Sequence, residues 1–204
     1  MAVASVGARD LPSGTQPDTI LQPQAIIEED RELFGTQEQF TRTLSNNAVE
    51  YTTPPIQFGW YLDLVSPKEG KQGERVIADP VLTVSEGNSP LIVFNTFAPT
   101  GGCETAGGFS ALMALDPING GRTNFAVFDL NGDDAFTADD ADSGSGAHDS
   151  GLITGSTIAP VALISSTDGT VTYALTAALS GQTNVTAIQG SALNLGRQSW
   201  RELQ

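Results

Sequence analysis

Asp129, Asn131, Asp133, Thr137 and Asp140 place oxygen-bearing side chains at positions one, three, five, nine and twelve of a twelve-residue stretch, 129–140. That is the spacing by which a short loop wraps a calcium ion. A hard cation takes about six to eight oxygens at about 2.3–2.6 Å, and short Asp and Asn side chains on alternate residues can converge on one point. Ala135, at position seven, offers its backbone carbonyl, and the apolar Phe136 after it can pin the loop to a core. The expected ligands are Asp129, Asn131, Asp133, Ala135 through its carbonyl, Thr137 directly or through water, and Asp140. Asp139 stands in reserve if the last turn shifts by one residue. Two substitutions weaken such a site. Asp134 occupies the position where glycine makes the sharp turn, and Asp140 is one methylene shorter than the usual Glu. Residues 141–146 carry no helical pattern, so this is a lone loop. The other reading is a solvated Asp-rich turn that holds no metal.

No enzyme is expected. His148 is the single histidine, which excludes a two-histidine metal site. His148, Asp149 and Ser150 are triad-like in type, but sequence neighbours rarely adopt triad geometry, and no Gly-x-Ser-x-Gly elbow or phosphate-cradling Gly-x-x-x-x-Gly-Lys is present. Asp63 and Asp79 qualify as a glycosidase pair only because that separation is spatial. They read better as strand-end and turn residues. Trp60 and Trp200 read as core rather than sugar platforms. Asn184-Val185-Thr186 fits a glycosylation sequon.

The elements that must hold the loop are strands. The 204 residues suffice for a sizeable core, glycine is abundant at 22, and Thr, Val and Ile dominate the apolar runs. Met1 to Gln24 reads as a loose leader without a signal peptide, and 25–204 as the folded segment. Residues 25–34 are ambiguous: Ile26, Ile27, Leu33 and Phe34 could line a short helix, yet Gly35-Thr36 followed by alternating Phe40, Arg42 and Leu44 favours a hairpin. Further strands are expected near 60–64, 80–84, 91–97, 110–115, 122–128, 152–153, 158–164, 171–175 and 185–188. Turns fall at 86–88, 116–121 and 168–169. The class is all-β: sandwich, barrel or propeller.

Net charge is −15 with only Lys68 and Lys71 as lysines, and seven of the 24 acids lie between Asp129 and Asp149. Such a surface repels nucleic acid and anionic membranes, and no run is long and apolar enough to insert. Cys103, alone, makes no internal disulfide and reads as a small buried hydrophobe.

A set of short motifs in fixed order carries a family likeness. They are Ser45-Asn46-Asn47-Ala48-Val49, Gly59-Trp60-Tyr61-Leu62-Asp63-Leu64, and Gly73-Glu74-Arg75-Val76-Ile77-Ala78-Asp79-Pro80. Then come Cys103 with Gly107-Gly108, Leu112-Met113-Ala114-Leu115-Asp116, Gly120-Gly121-Arg122, the loop from Phe128, and Gly196-Arg197-Gln198-Ser199-Trp200-Arg201. In that order the chain, from about Thr19 onward, resembles the C-terminal part of the PilC/PilY-type proteins, the type IV pilus tip-associated biogenesis factors and adhesins.

The resemblance implies the C-terminal blades of a β-propeller, partial and built of antiparallel sheets. It implies a role in pilus biogenesis, retraction control and surface adhesion, with minor pilins, the pilus tip and upstream blades of a parent propeller as partners. The location implied is the pilus tip, periplasm or outer-membrane surface of a Gram-negative bacterium. The family's best-known calcium site lies upstream of this segment, so calcium at 129–140 rests on the loop's own residues. No Arg-Gly-Asp sequence is present. The competing reading is a secreted β-rich enzyme or carbohydrate-binding module with a structural calcium loop.

Overall fold

The structure, a computed structural model, describes residues 20–100, 107–142, 145–155, 160–178 and 181–191. Cys103, Trp200 and the 196–201 motif lie outside the described residues. Strand β1 (Gln22–Phe34) turns through Gly35-Thr36 into β2 (Gln37–Leu44), with Phe34 opposite Gln37. Gly35 takes φ 60, a conformation that costs glycine nothing. The hairpin expected from the Phe40, Arg42, Leu44 alternation is therefore present. β1 begins at Gln22, within the stretch read as leader, and Gln22 to Ala25 pair in parallel with β3 (Trp60–Asp63).

Downstream come β4 (Arg75–Val76), β5 (Val81–Ser85), β6 (Ser89–Thr100), β7 (Gly107–Leu115) and β8 (Gly151–Gly155). Together with β1 to β3 they make one eight-stranded sheet, ordered β3-β1-β2-β8-β7-β6-β4 with β5 also on β6. A three-stranded sheet follows from β9 (Ala162–Ser165), β10 (Val171–Ala177) and β11 (Thr183–Gln189), with β10 central. Apart from β1–β3, every strand pair is antiparallel.

The large sheet buries both faces, so its central strands are near-continuous apolar runs. On β7, Leu112 and Ala114 face one core with Leu91, Val93, Phe128 and Ile188. Ala111, Met113 and Leu115 face a second core with Ile26, Leu44, Trp60 and Phe94. The first core joins the two sheets, and the chain just before the acidic loop runs through it.

That run, 122–128, is not the strand its composition predicts. Among the described residues its one bridge is Phe128–Ile188, supported by Gln189 N–H donating to the Val127 carbonyl at 2.7 Å, and at its start Arg122 N–H donates to the Ser45 carbonyl at 3.2 Å. Ala126, Val127 and Phe128 are buried consecutively, not alternately. A segment laid between two sheets meets apolar surface on all sides. Burial, not pleating, explains why its residues are apolar.

Candidate metal-binding loop and its surroundings

The loop departs from the first core at Asp129 and returns at Asp140. Leu130 is fully buried, so the loop is anchored one residue after its first acid. Asp129 organises the turn. Its Oδ1 accepts from the N–H groups of Gly132 (2.7 Å) and Asp133 (3.2 Å), and its Oδ2 from that of Asp134 (3.0 Å). Asn131 Oδ1 accepts from Asp133 N–H at 3.0 Å, and Asp133 Oδ1 from Ala135 N–H at 2.9 Å. Asp134 stands at φ 60, so the sixth position does make the left-handed turn that glycine usually supplies.

The closing acid is the best-held member. Asp140 is 1 % exposed; its Oδ1 accepts from Leu130 N–H (2.8 Å) and Asn131 N–H (3.3 Å), and its Oδ2 from Thr137 N–H (3.0 Å). Thr137 caps the short 3-10 turn Ala138–Asp140 by accepting from Asp139 N–H, a reciprocal capping box with Asp140. Asp133, Thr137 and Asp139 are exposed, while Asp129, Asn131 and Ala135 are half-buried.

The oxygen-only donor set and the turn geometry suit a hard cation. The carboxylates are not gathered: among the described residues, no three His, Cys, Asp or Glu side chains form a group able to hold a metal ion. A cation would draw Asp133 and Asp140 toward Asp129 at the expense of part of this hydrogen bonding. Each carboxylate oxygen has two lone pairs, so an oxygen that accepts one N–H keeps capacity for a cation.

Beyond Asp140 the chain forms an arch. The Ala141–His148 bridge closes it, with Asp142 N–H donating to the Ala147 carbonyl (2.9 Å) and Gly146 N–H to the Asp142 carbonyl (2.8 Å). An open cleft of about 640 Å³ lies beside it, lined in part by Glu32, Phe34, Asn131, Asp139, Asp142 and His148. Acids crowd one another here: Asp142 is the main cause raising the Glu28 carboxyl above its ordinary pKa. Burial, then the Arg122 charge, lowers the His148 imidazole below its usual range against an opposing pull from Asp140. It is neutral at pH 7.

His148, Asp149 and Ser150 are no triad. Ser150 is fully buried with its Oγ accepting from Leu44 N–H at 3.3 Å, and Asp149 Oδ1 accepts from Thr43 Oγ1 at 2.7 Å. Asp63 and Asp79 are both exposed. Trp60 is core, with its indole N–H donating to the Pro117 carbonyl at 2.9 Å, and so presents no sugar platform.

Two polar centres escaped the sequence reading. Arg42 is fully buried and holds Glu29 at 2.6 Å and Glu74 at 2.7 Å, while Ser66 and Thr96 donate to the same carboxylates. Burial alone would lower the guanidinium pKa; Glu74 and Glu29 more than offset it and leave it raised. Its position between Phe40 and Leu44 on the alternating face of β2 was the available signal. The other is Asp149, 3 % exposed, with burial as the main cause pushing its carboxyl up to about 6. Nothing in its spacing sets it apart from the surrounding acids.

No protein-family model matches the chain. It is 35 % identical over 154 residues to the type IV pilus biogenesis factor PilY1 homolog of Xylella fastidiosa, a match covering 71 % of this chain and 11 % of that protein. It is 28 % identical over 119 residues to PilY1 of Pseudomonas aeruginosa, covering 54 % of this chain and 10 % of the relative. The chain thus spans about a tenth of the relatives it matches. Its fold matches the crystal structure of the Pseudomonas aeruginosa PilY1 C-terminal domain with TM-score 0.66 at 23 % identity, over 85 % of this chain and 32 % of that one. The curled antiparallel and mixed sheets form a half-barrel like that β-propeller-like domain, as expected of terminal propeller blades. Among the described residues no helix is long and apolar enough to cross a membrane. The ordered motifs, the pairwise identity and the fold lead to one conclusion: the chain belongs with the PilY1-type type IV pilus factors and has the fold of their C-terminal domain.

Proposed function

We propose that this domain serves a type IV pilus-tip assembly factor in pilus biogenesis, retraction control and surface adhesion, and that its 129–140 loop binds Ca2+. The observation that carries the pilus reading is the 35 % identity over 154 residues to a pilus biogenesis factor. The partners proposed are minor pilins, the pilus tip and the rest of the parent protein, at the pilus tip or cell envelope. The domain acts without catalysis, as an assembly surface. Deleting residues 25–204 from the protein in its own cell is expected to reduce surface pili and twitching. Unchanged piliation and motility would overturn the reading.

Calcium would join Asp129, Asn131, Asp133, Ala135 through its carbonyl, Thr137 and Asp140, neutralising clustered acid where the loop leaves the core. At about 1 mM calcium and a Kd of about 0.1 mM, linkage supplies about 1.4 kcal/mol of stabilisation. Support comes from the left-handed turn at Asp134, the Asp129 hydrogen-bond hub and the oxygen-only donors. Calorimetric titration with calcium is expected to show one binding event, and thermal melts a gain of several degrees, both absent in Asp129→Ala. No heat, with identical melts in calcium and chelator, would leave the loop a plain acidic turn.

A further inference from the structure

We propose that Asp149 is a proton-operated latch: with its carboxyl protonated it seats the arch against β2, and with the carboxyl ionised that seat is weakened. The placement is unusual for an acid. Asp149 is 3 % exposed, at the point where the arch hands over to β8. Its Oδ1 is held by the Thr43 hydroxyl at 2.7 Å, while its Oδ2 is buried with no hydrogen-bond partner. A buried ionised carboxylate is tolerated when paired with a positive charge. The charged groups acting on it most strongly are Asp142 from the arch and Glu32 from β1, both acidic; on β1, Glu28 and Asp30 stand opposite Thr43 and Thr41, with Lys68 paired to Asp30. β2 presents only the hydroxyls of Thr41 and Thr43, and the adjacent His148 is neutral at pH 7.

Protonation removes the larger of the two defects, the unpaired buried charge. Burial is the main cause that raises the group from 3.8 to about 6, with the two threonines pulling it down and the two acids pushing it further up. The folded-state value is thus above the unfolded one. The stabilisation is full below about pH 4 and is lost as pH rises through about 6, so the unfolding constant grows by up to roughly a hundredfold across that window. The arch takes the change locally. Its neighbour Ser150 stays fixed by its N–H donating to the Arg42 carbonyl at 2.8 Å.

The full chain, in chelator so that no metal at 129–140 contributes, is titrated by carboxyl-carbon NMR. Amide protection factors, which remove the intrinsic pH dependence of exchange, are followed at His148 and Asp149. The Asp149 midpoint is expected near 6, with protection in the arch falling above it. Thr43→Val removes the hydroxyl that favours the ionised form and is expected to raise the midpoint. Asp149→Asn is expected to abolish the pH response and keep the arch protected at about pH 7.5. A wild-type midpoint near 4, or the same pH response in Asp149→Asn, overturns the latch. If Asp149→Asn does not fold, the wild-type midpoint and the direction of the Thr43→Val shift decide alone.

Discussion

At the scale of single residues, Trp60 and Gly120 show how tightly one corner of the fold is packed. The Trp60 ring is fully buried, and the 116–121 turn folds directly over it. Gly120 sits at φ +74, and a Cβ there would lie 1.9 Å from Trp60 Cδ2. A Cβ on Gly121 would come within 2.6 Å of the Ser45 carbonyl oxygen. Gln24 ties the same corner, donating at 2.7 Å to the carbonyls of both Asn47 and Asn119. Gly120→Ala therefore pays twice, in left-handed backbone and in overpacking against an indole that has nowhere to move. The expected loss is about 3 kcal/mol, read as a lower urea midpoint at unchanged m-value. An unchanged midpoint would mean the indole swings aside.

At the scale of elements, Arg42 joins the β1–β2 hairpin, where Glu29 is its cross-strand neighbour, to the segment entering β4, which no ladder pairs with β2. Its guanidinium sits on β2, Glu29 on β1, and Glu74 on the segment entering β4, with Thr96 of β6 donating to Glu74. Arg42→Leu would strand two buried carboxylates and is expected to cost about 3–5 kcal/mol in chemical denaturation. The triple change Arg42→Leu, Glu29→Gln, Glu74→Gln removes every charge from this cluster and is expected to recover a large part of that. Equal losses in both variants would show that geometry, not charge, is what Arg42 supplies.

The same elements show what a sequence can disclose. Period-two alternation around Phe40 and Leu44 exposed the β1–β2 hairpin, because one residue face there is locally readable. Residues 122–128 looked like a strand since their apolar run records burial, which an irregular segment between sheets shares. The loop's spacing was legible as types and intervals. That Asp140 would be buried and spent on backbone N–H groups was not, because its partners at 130, 131 and 137 are set by the fold. In the sequence Asp149 stands out only by belonging to a triad-like run of residue types, a geometry that sequence neighbours rarely adopt. Its role follows from two threonines more than 100 residues earlier.

At the scale of the molecule, charge is the dominant unspent term. The formal net charge of −15 is concentrated, since 129–149 carries seven acids and no lysine or arginine. Arg42 is committed to the interior and Lys68 to Asp30, so neither offsets that stretch. Exposed like charges within about 10 Å repel measurably at low ionic strength and are screened as salt rises, whereas the buried Arg42 pairs are hardly touched. Raising sodium chloride from about 20 to about 300 mM at neutral pH is therefore expected to raise the melting temperature by about 2–6 °C, corresponding to about 1–2 kcal/mol of relieved repulsion. Matched ionic strength separates this from site binding. Calcium at the loop adds its gain on top of the screened baseline, and Asp129→Ala removes that increment while keeping the salt response. A melting temperature that falls with salt would mean that exposed ion pairs, not repulsion, govern the surface, and would remove the electrostatic reason for the acidic loop to recruit a cation.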